Sequence, residues 1–154
     1  MKRFKILLIL FSFISSYTLF SCTAEDDIES IFYDKTWYIT GASINGVKLN
    51  GSDIKTLYNE IETYYVFFGS NNTFTCILDR YCHITGIWTA DGKNQMFDIT
   101  IKELTNTNNN VLSTNLYNII KNVKIYKGDT NNLTLSQDGQ NYINLSINKN
   151  IPSL

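Results

Sequence analysis

Turn-forming residues punctuate this chain at short intervals, and they restrict it to short strands that double back on their neighbours. Asn45-Gly46, Asn50-Gly51, Gly69-Ser70-Asn71-Asn72, Asp91-Gly92, residues 128–132 and Asp138-Gly139 are the turn signals. Asn-Gly and Asp-Gly suit two-residue hairpins because both central positions take positive φ. Between them lie β-branched and aromatic runs of the kind strands prefer, at 36–40, 64–68, 73–78, 82–89, 95–102, 123–127, 133–136 and 141–147. Evenly spaced short strands predict a closed or nearly closed antiparallel barrel of about eight strands. Two stretches break the two-residue alternation. Ile54, Leu57, Tyr58, Ile61 and Tyr65 follow helical spacing, as do Leu112, Leu116, Ile119 and Ile120. The expected class is therefore mainly β with a minor α component of one or two short helices, the first capped by Ser52 or Asp53. The stretch up to Asn110 reads as an Asn-rich loop.

The first residues follow a different logic. Lys2, Arg3 and Lys5 form a cationic head, residues 6–20 are almost wholly apolar, and Ser21 precedes Cys22. Charge, apolar run and small-residue exit are the layout of a secretory signal. The run is short of the roughly 20 residues that span a bilayer, although an uncleaved helical anchor is the alternative. Leu19, Ser21 and Cys22 resemble the lipobox of bacterial lipoproteins, with Phe20 departing from its usual small or β-branched residue. That resemblance implies lipid on the Cys22 sulfur and an outer-membrane lipoprotein of the cell envelope, possessing a membrane as its first partner. Glu25-Asp26-Asp27 then reads as solvated tether or as a resemblance to an acidic export tag. The expected organisation is signal 1–21, acidic flexible tether 22–33 turning helical before docking, barrel 34–148 and tail 149–154.

Lys2, Arg3 and Lys5 leave with the signal, so residues 22–154 carry 10 basic against 14 acidic side chains, a net charge of −4. Nucleic-acid binding needs a basic face and is not expected. Cys22 is assigned to lipid, leaving Cys76 and Cys82. In an oxidising compartment an even pair suggests a disulfide bracketing residues 77–81, with two buried free thiols as the alternative.

Three segments resemble small bacterial lipocalin-like lipoproteins. They are Lys35-Thr36-Trp37-Tyr38-Ile39-Thr40-Gly41, Phe67-Phe68-Gly69-Ser70-Asn71-Asn72-Thr73-Phe74 and Thr85-Gly86-Ile87-Trp88-Thr89. Residues 112–120, Tyr126-Lys127-Gly128-Asp129 and Asn132-Leu133-Thr134-Leu135 are similar to the META domain of HslJ-type proteins. The resemblance implies a lipocalin-like barrel in a family of unknown function, with no catalytic residue to carry across. Thr36 departs from the Gly-x spacing expected before the Trp of a ligand-carrying lipocalin.

No constellation points to an enzyme, a metal or a cofactor. His83, beside Asp79 and Arg80, lacks a second acid or an activated nucleophile. Cys76, Cys82 and His83 fall short of a zinc set, and Asp129 with Asn131 and Asn132 reads as a turn before it reads as a calcium loop. The aromatics Trp37, Tyr58, Tyr65, Phe67, Phe74, Trp88 and Phe97 fall on expected inward faces, as either a filled core or the lining of an apolar pocket. Tyr38, Tyr64, Tyr81 and Tyr142 are expected outside, where a protein or glycan partner could meet them. The expected function is a non-enzymatic binding module for a small apolar or amphipathic ligand. The alternative is a surface interaction or inhibitor domain.

Overall fold

The computed structural model describes residues 25–59, 63–107 and 110–149. The signal segment, Cys22, Ile61 and the tail from Asn150 lie outside them. The elements run α1 (Ile28–Phe32), β1 (Lys35–Ile44), β2 (Val47–Lys48), α2 (Gly51–Asn59), β3 (Tyr65–Phe68), β4 (Thr73–Asp79), β5 (Cys82–Asp91), β6 (Met96–Asn106), α3 (Val111–Lys121), β7 (Ile125–Gly128), β8 (Asn132–Ser136) and β9 (Tyr142–Ser146). Every strand pairing is antiparallel, in the order β2-β1-β3-β4-β5-β6-β7-β8-β9, and β9 returns to β1. Eight strands thus close into a barrel, with β2 as an extra strand on β1. Closure removes the unpaired edges that would otherwise recruit other chains.

The turn chemistry accounts for the meander. Asn45 and Gly46 take φ of 53° and 80°, the twist that a two-residue hairpin needs, and join β1 to β2. At three of the other turns an Asp carboxylate accepts the backbone N–H groups that follow it. Asp91 accepts from Lys93 and Asn94, Asp129 from Asn131 and Asn132, and Asp138 from Gln140 and Asn141. Asp129 therefore serves a turn. Helix α2 starts two residues earlier than its sequence signals suggest, because Asn50 Oδ1 accepts from the N–H groups of Ser52 and Asp53. Asn110 caps α3 by accepting from Ser113 N–H.

The weak point of the barrel wall is β6–β7, joined by the single register pair Met96↔Ile125, although β6 runs on to Asn106. Strand β6 thereby takes up residues expected in the Asn-rich loop. Helix α3 follows β6 and packs against β4, β6 and β9, burying Leu116, Ile119 and Ile120. A covering helix is one way to protect an unpaired strand edge. At its start Ser113 Oγ donates to the buried Asp79 carboxylate at 2.5 Å, which ties the helix to the end of β4.

One expectation is corrected by the packing, that of a disulfide. The segment read as a tether that turns helical before docking carries α1, which lies against the barrel. Asp27 caps α1, and Phe32 is fully buried. Apolar burial of Ile31 and Phe32 outweighs the solvation of the neighbouring acids. The Cys76–Cys82 bridge is absent: both thiols are free and buried. The register gives the reason. Cys76 pairs with Ile84, so Cys82 sits diagonally from it on the same face. Diagonal neighbours lie about 7–8 Å apart, beyond the usual span of a disulfide.

Candidate functional site

The first candidate is the barrel interior. Of the seven aromatics expected there, Trp37, Tyr58, Phe74, Trp88 and Phe97 are buried. Tyr65 and Phe67 are not part of that lining. Trp37 pairs with Val66, and the burial pattern of β3 places Val66 and Phe68 inward and Tyr65 and Phe67 outward. Tyr64, expected outside, takes a positive φ of 56° ahead of β3 and is buried. A one-residue slip reverses every side chain of a strand.

Side chains occupy the interior. Phe32 enters one end and meets four rings, at centroid distances of 5.1 Å to Trp88, 5.1 Å to Phe97, 5.2 Å to Tyr126 and 5.3 Å to Phe68. These are the offset and edge-to-face arrangements that aromatic quadrupoles favour. Neither Phe32 nor Tyr126 figures among the expected inward aromatics. Asp26 Oδ2 latches the plug by accepting from Tyr126 OH at 2.9 Å and from Gln95 Nε2 at 3.1 Å. Burial first, and then the Asp26 carboxylate, push the Tyr126 hydroxyl pKa upward. Asp26 N–H also donates to Gly92 C=O, and a Cβ on Gly92 would lie 2.4 Å from Asp26 O, so only glycine admits this approach. Trp37 Nε1 is buried without a hydrogen-bond partner among the described residues.

The expected polar candidates are separated. His83 is exposed on β5, whereas the Asp79 carboxylate is buried and engaged by Ser113 Oγ and Tyr81 N–H. Burial pushes the Cys76 thiol well above its ordinary pKa, and burial with the Asp79 charge raises Cys82 to about 11. Thiols in that state are poor nucleophiles. Among the described residues no group of three or more His, Cys, Asp or Glu side chains gathers to hold a metal. No described helix is long and apolar enough to cross a membrane.

The second candidate is the outer wall. On one side Thr36, Tyr38, Tyr65, Phe67 and Thr75 line an open groove of about 440 Å³. The register sets Tyr38 opposite Tyr65 and Phe67 between Thr36 and Thr75. Tyr65 and Phe67, misplaced by the sequence pattern, are thus brought together here with Tyr38. Further round, a groove of about 390 Å³ runs over β7, β8 and β9, with Lys127, Thr134, Ser136, Tyr142 and Asn144 in its lining. A third, of about 450 Å³, shares Lys127, Thr134 and Asn144 and reaches Thr40 on β1. Asn144 couples the strands, accepting from Thr134 Oγ1 at its side chain and from Thr40 Oγ1 at its carbonyl. Ser146, opposite Tyr38, bridges the two regions. Charge enters this wall through Lys127 and through Lys149, whose Nζ lies 5.7 Å from the Tyr38 ring centre. Asp129 and Asp138 border it. Hydrogen bonds from the N–H groups of Asn131 and Gln140 respectively are the main cause holding these two carboxyls below the ordinary range.

The family described as "Domain of unknown function (DUF4847)" matches residues 23–147. A crystal structure of a DUF4847 family protein from Bacteroides vulgatus is similar at a TM-score of 0.66 and 22% identity, covering 80% of this chain and 99% of that one. At that identity the likeness is one of fold. No curated protein matches the chain.

Proposed function

The chain belongs to the DUF4847 family, and on that premise we propose that it is a non-enzymatic binding module of the cell envelope, held through lipid on Cys22, which meets its ligand on the outside of the barrel. The filled interior carries this reading. Phe32 stands among Phe68, Trp88, Phe97 and Tyr126, where an apolar ligand would otherwise sit. Binding sites need concave surface with a few convergent polar groups, and the outer wall offers both around Tyr38, Tyr65 and Asn144. The binding role is supported over catalysis by the burial of Asp79 against Ser113 and Tyr81 while His83 faces solvent. The address is supported by the lipobox-like Leu19, Ser21 and Cys22.

Two measurements test the reading. Titration of the mature chain with palmitate, followed by tryptophan fluorescence, leaves Trp37 and Trp88 emission unchanged. Saturable quenching would instead return the ligand site to the interior. Cys22→Ala moves the protein from the membrane to the unanchored fraction, and unaltered fractionation would refute the anchor.

A further inference from the structure

The outer wall has a composition that selects among ligands. From β3 across β1 and β9 to β8 it presents Tyr65, Tyr38, Tyr142, Asn144 and Thr134, flanked by further Thr and Ser side chains, with a ring on each of β3, β1 and β9 and hydroxyl and amide groups beside them. Ser and Thr hydroxyls both donate and accept, and an Asn amide does the same with its two ends. The Asn144 Oδ1 is taken by Thr134, while its Nδ2 has no partner among the described residues. Three inter-strand steps separate β3 from β8, roughly 14 Å.

We propose that this strip binds a neutral glycan chain laid across the strands, which deepens the outer-surface reading above and rests on it. Sugar hydroxyls need partners that donate and accept at once, and the C–H faces of pyranose rings seat on aromatic rings such as Tyr38, Tyr65 and Tyr142. The competing occupants fit less well. A peptide added as a strand requires an unpaired edge, but β1, β8 and β9 are each paired on both sides. A polyanion requires a basic face, and here the cations Lys127 and Lys149, with Lys124 at the border, are offset by Asp129 and Asp138. An acyl chain would strip water from Thr134, Ser136 and Asn144 without replacing its hydrogen bonds.

The test is calorimetric titration of the mature chain with maltohexaose, xylohexaose, mannohexaose and chitohexaose. At least one binds with a Kd of about 1 mM or tighter. Tyr65→Ala, Tyr142→Ala and Asn144→Ala each weaken that binding on the order of tenfold, while Thr85→Ala, on the outer face of β5, leaves it unchanged. Unaltered tryptophan emission and urea midpoint show that each variant is folded, and Tyr65→Phe keeps the ring where Tyr65→Ala proves unstable. Silence of all four sugars, or binding indifferent to these substitutions, overturns the proposal. If palmitate also leaves the tryptophans unquenched, that failure removes the glycan alone; saturable quenching by palmitate removes the outer-surface reading with it.

Discussion

Replacing Phe32 by alanine separates a plug from a tether. The side chain is fully buried and touches four rings. Truncating a buried Phe costs about 3–5 kcal/mol. The ring contacts, each worth about 0.5–1.5 kcal/mol beyond area, are contained in that figure. Helix α1 has five residues, far too few to persist on its own, so the loss of the ring also releases the segment that carries it. With a urea slope of about 2 kcal/mol per molar, the midpoint falls by roughly 2 M. The assay is urea unfolding of residues 22–154, followed through tryptophan emission. Glu29→Ala, an exposed change on the same helix, should stay within about 0.5 kcal/mol. A Phe32→Ala loss below about 1 kcal/mol would refute the reasoning, because a segment that merely tethers contributes nothing to folding.

Three further outcomes follow from the same structure. Cys76 and Cys82 resist iodoacetamide in the native protein at about pH 8 and are both alkylated in urea without reductant; alkylation that needs reductant would restore the bridge. Ser113→Ala removes a donor from the buried Asp79 carboxylate and lowers stability by about 1–3 kcal/mol, read from the urea midpoint. Asp91, Asp129 and Asp138 are held below the ordinary carboxyl range, chiefly by the Asn94 side chain and by the N–H groups of Asn131 and Gln140. Their contribution is present above the unfolded value of about 3.9 and fades as pH falls through the folded values. The urea midpoint should drop below about pH 4, less steeply in Asp138→Asn, and an identical decline in that variant would count against the turn carboxylates.

The barrel was legible because its determinants are local. Asn45-Gly46 and the Asp-led turns adopt their structures from neighbouring residues, and the helical spacing of Leu116, Ile119 and Ile120 survives in α3. The errors arose where a distant partner decides. The alternation of Tyr65 and Phe67 is equally satisfied by either face, and only pairing of Trp37 with Val66 chooses. Phe32 follows a run of acids, and its burial depends on Phe97 and Tyr126, more than sixty residues away. Cys76 and Cys82 are close in sequence, yet their diagonal register keeps them from bonding. The outer strip carried a partial signal in Tyr38 and Tyr142, which alternation placed outside. The contribution of Asn144 and Thr134 emerges only when β8, β9 and β1 lie side by side.

The latch at Asp26 has a bearing on how the barrel is presented. Four peptide steps separate Cys22 from Asp26, a reach of no more than about 14 Å. If Cys22 carries lipid, as proposed, that short leash would keep the plugged end facing the bilayer and leave little room to tumble. The lateral wall would then stand upright, open to long molecules passing alongside the membrane.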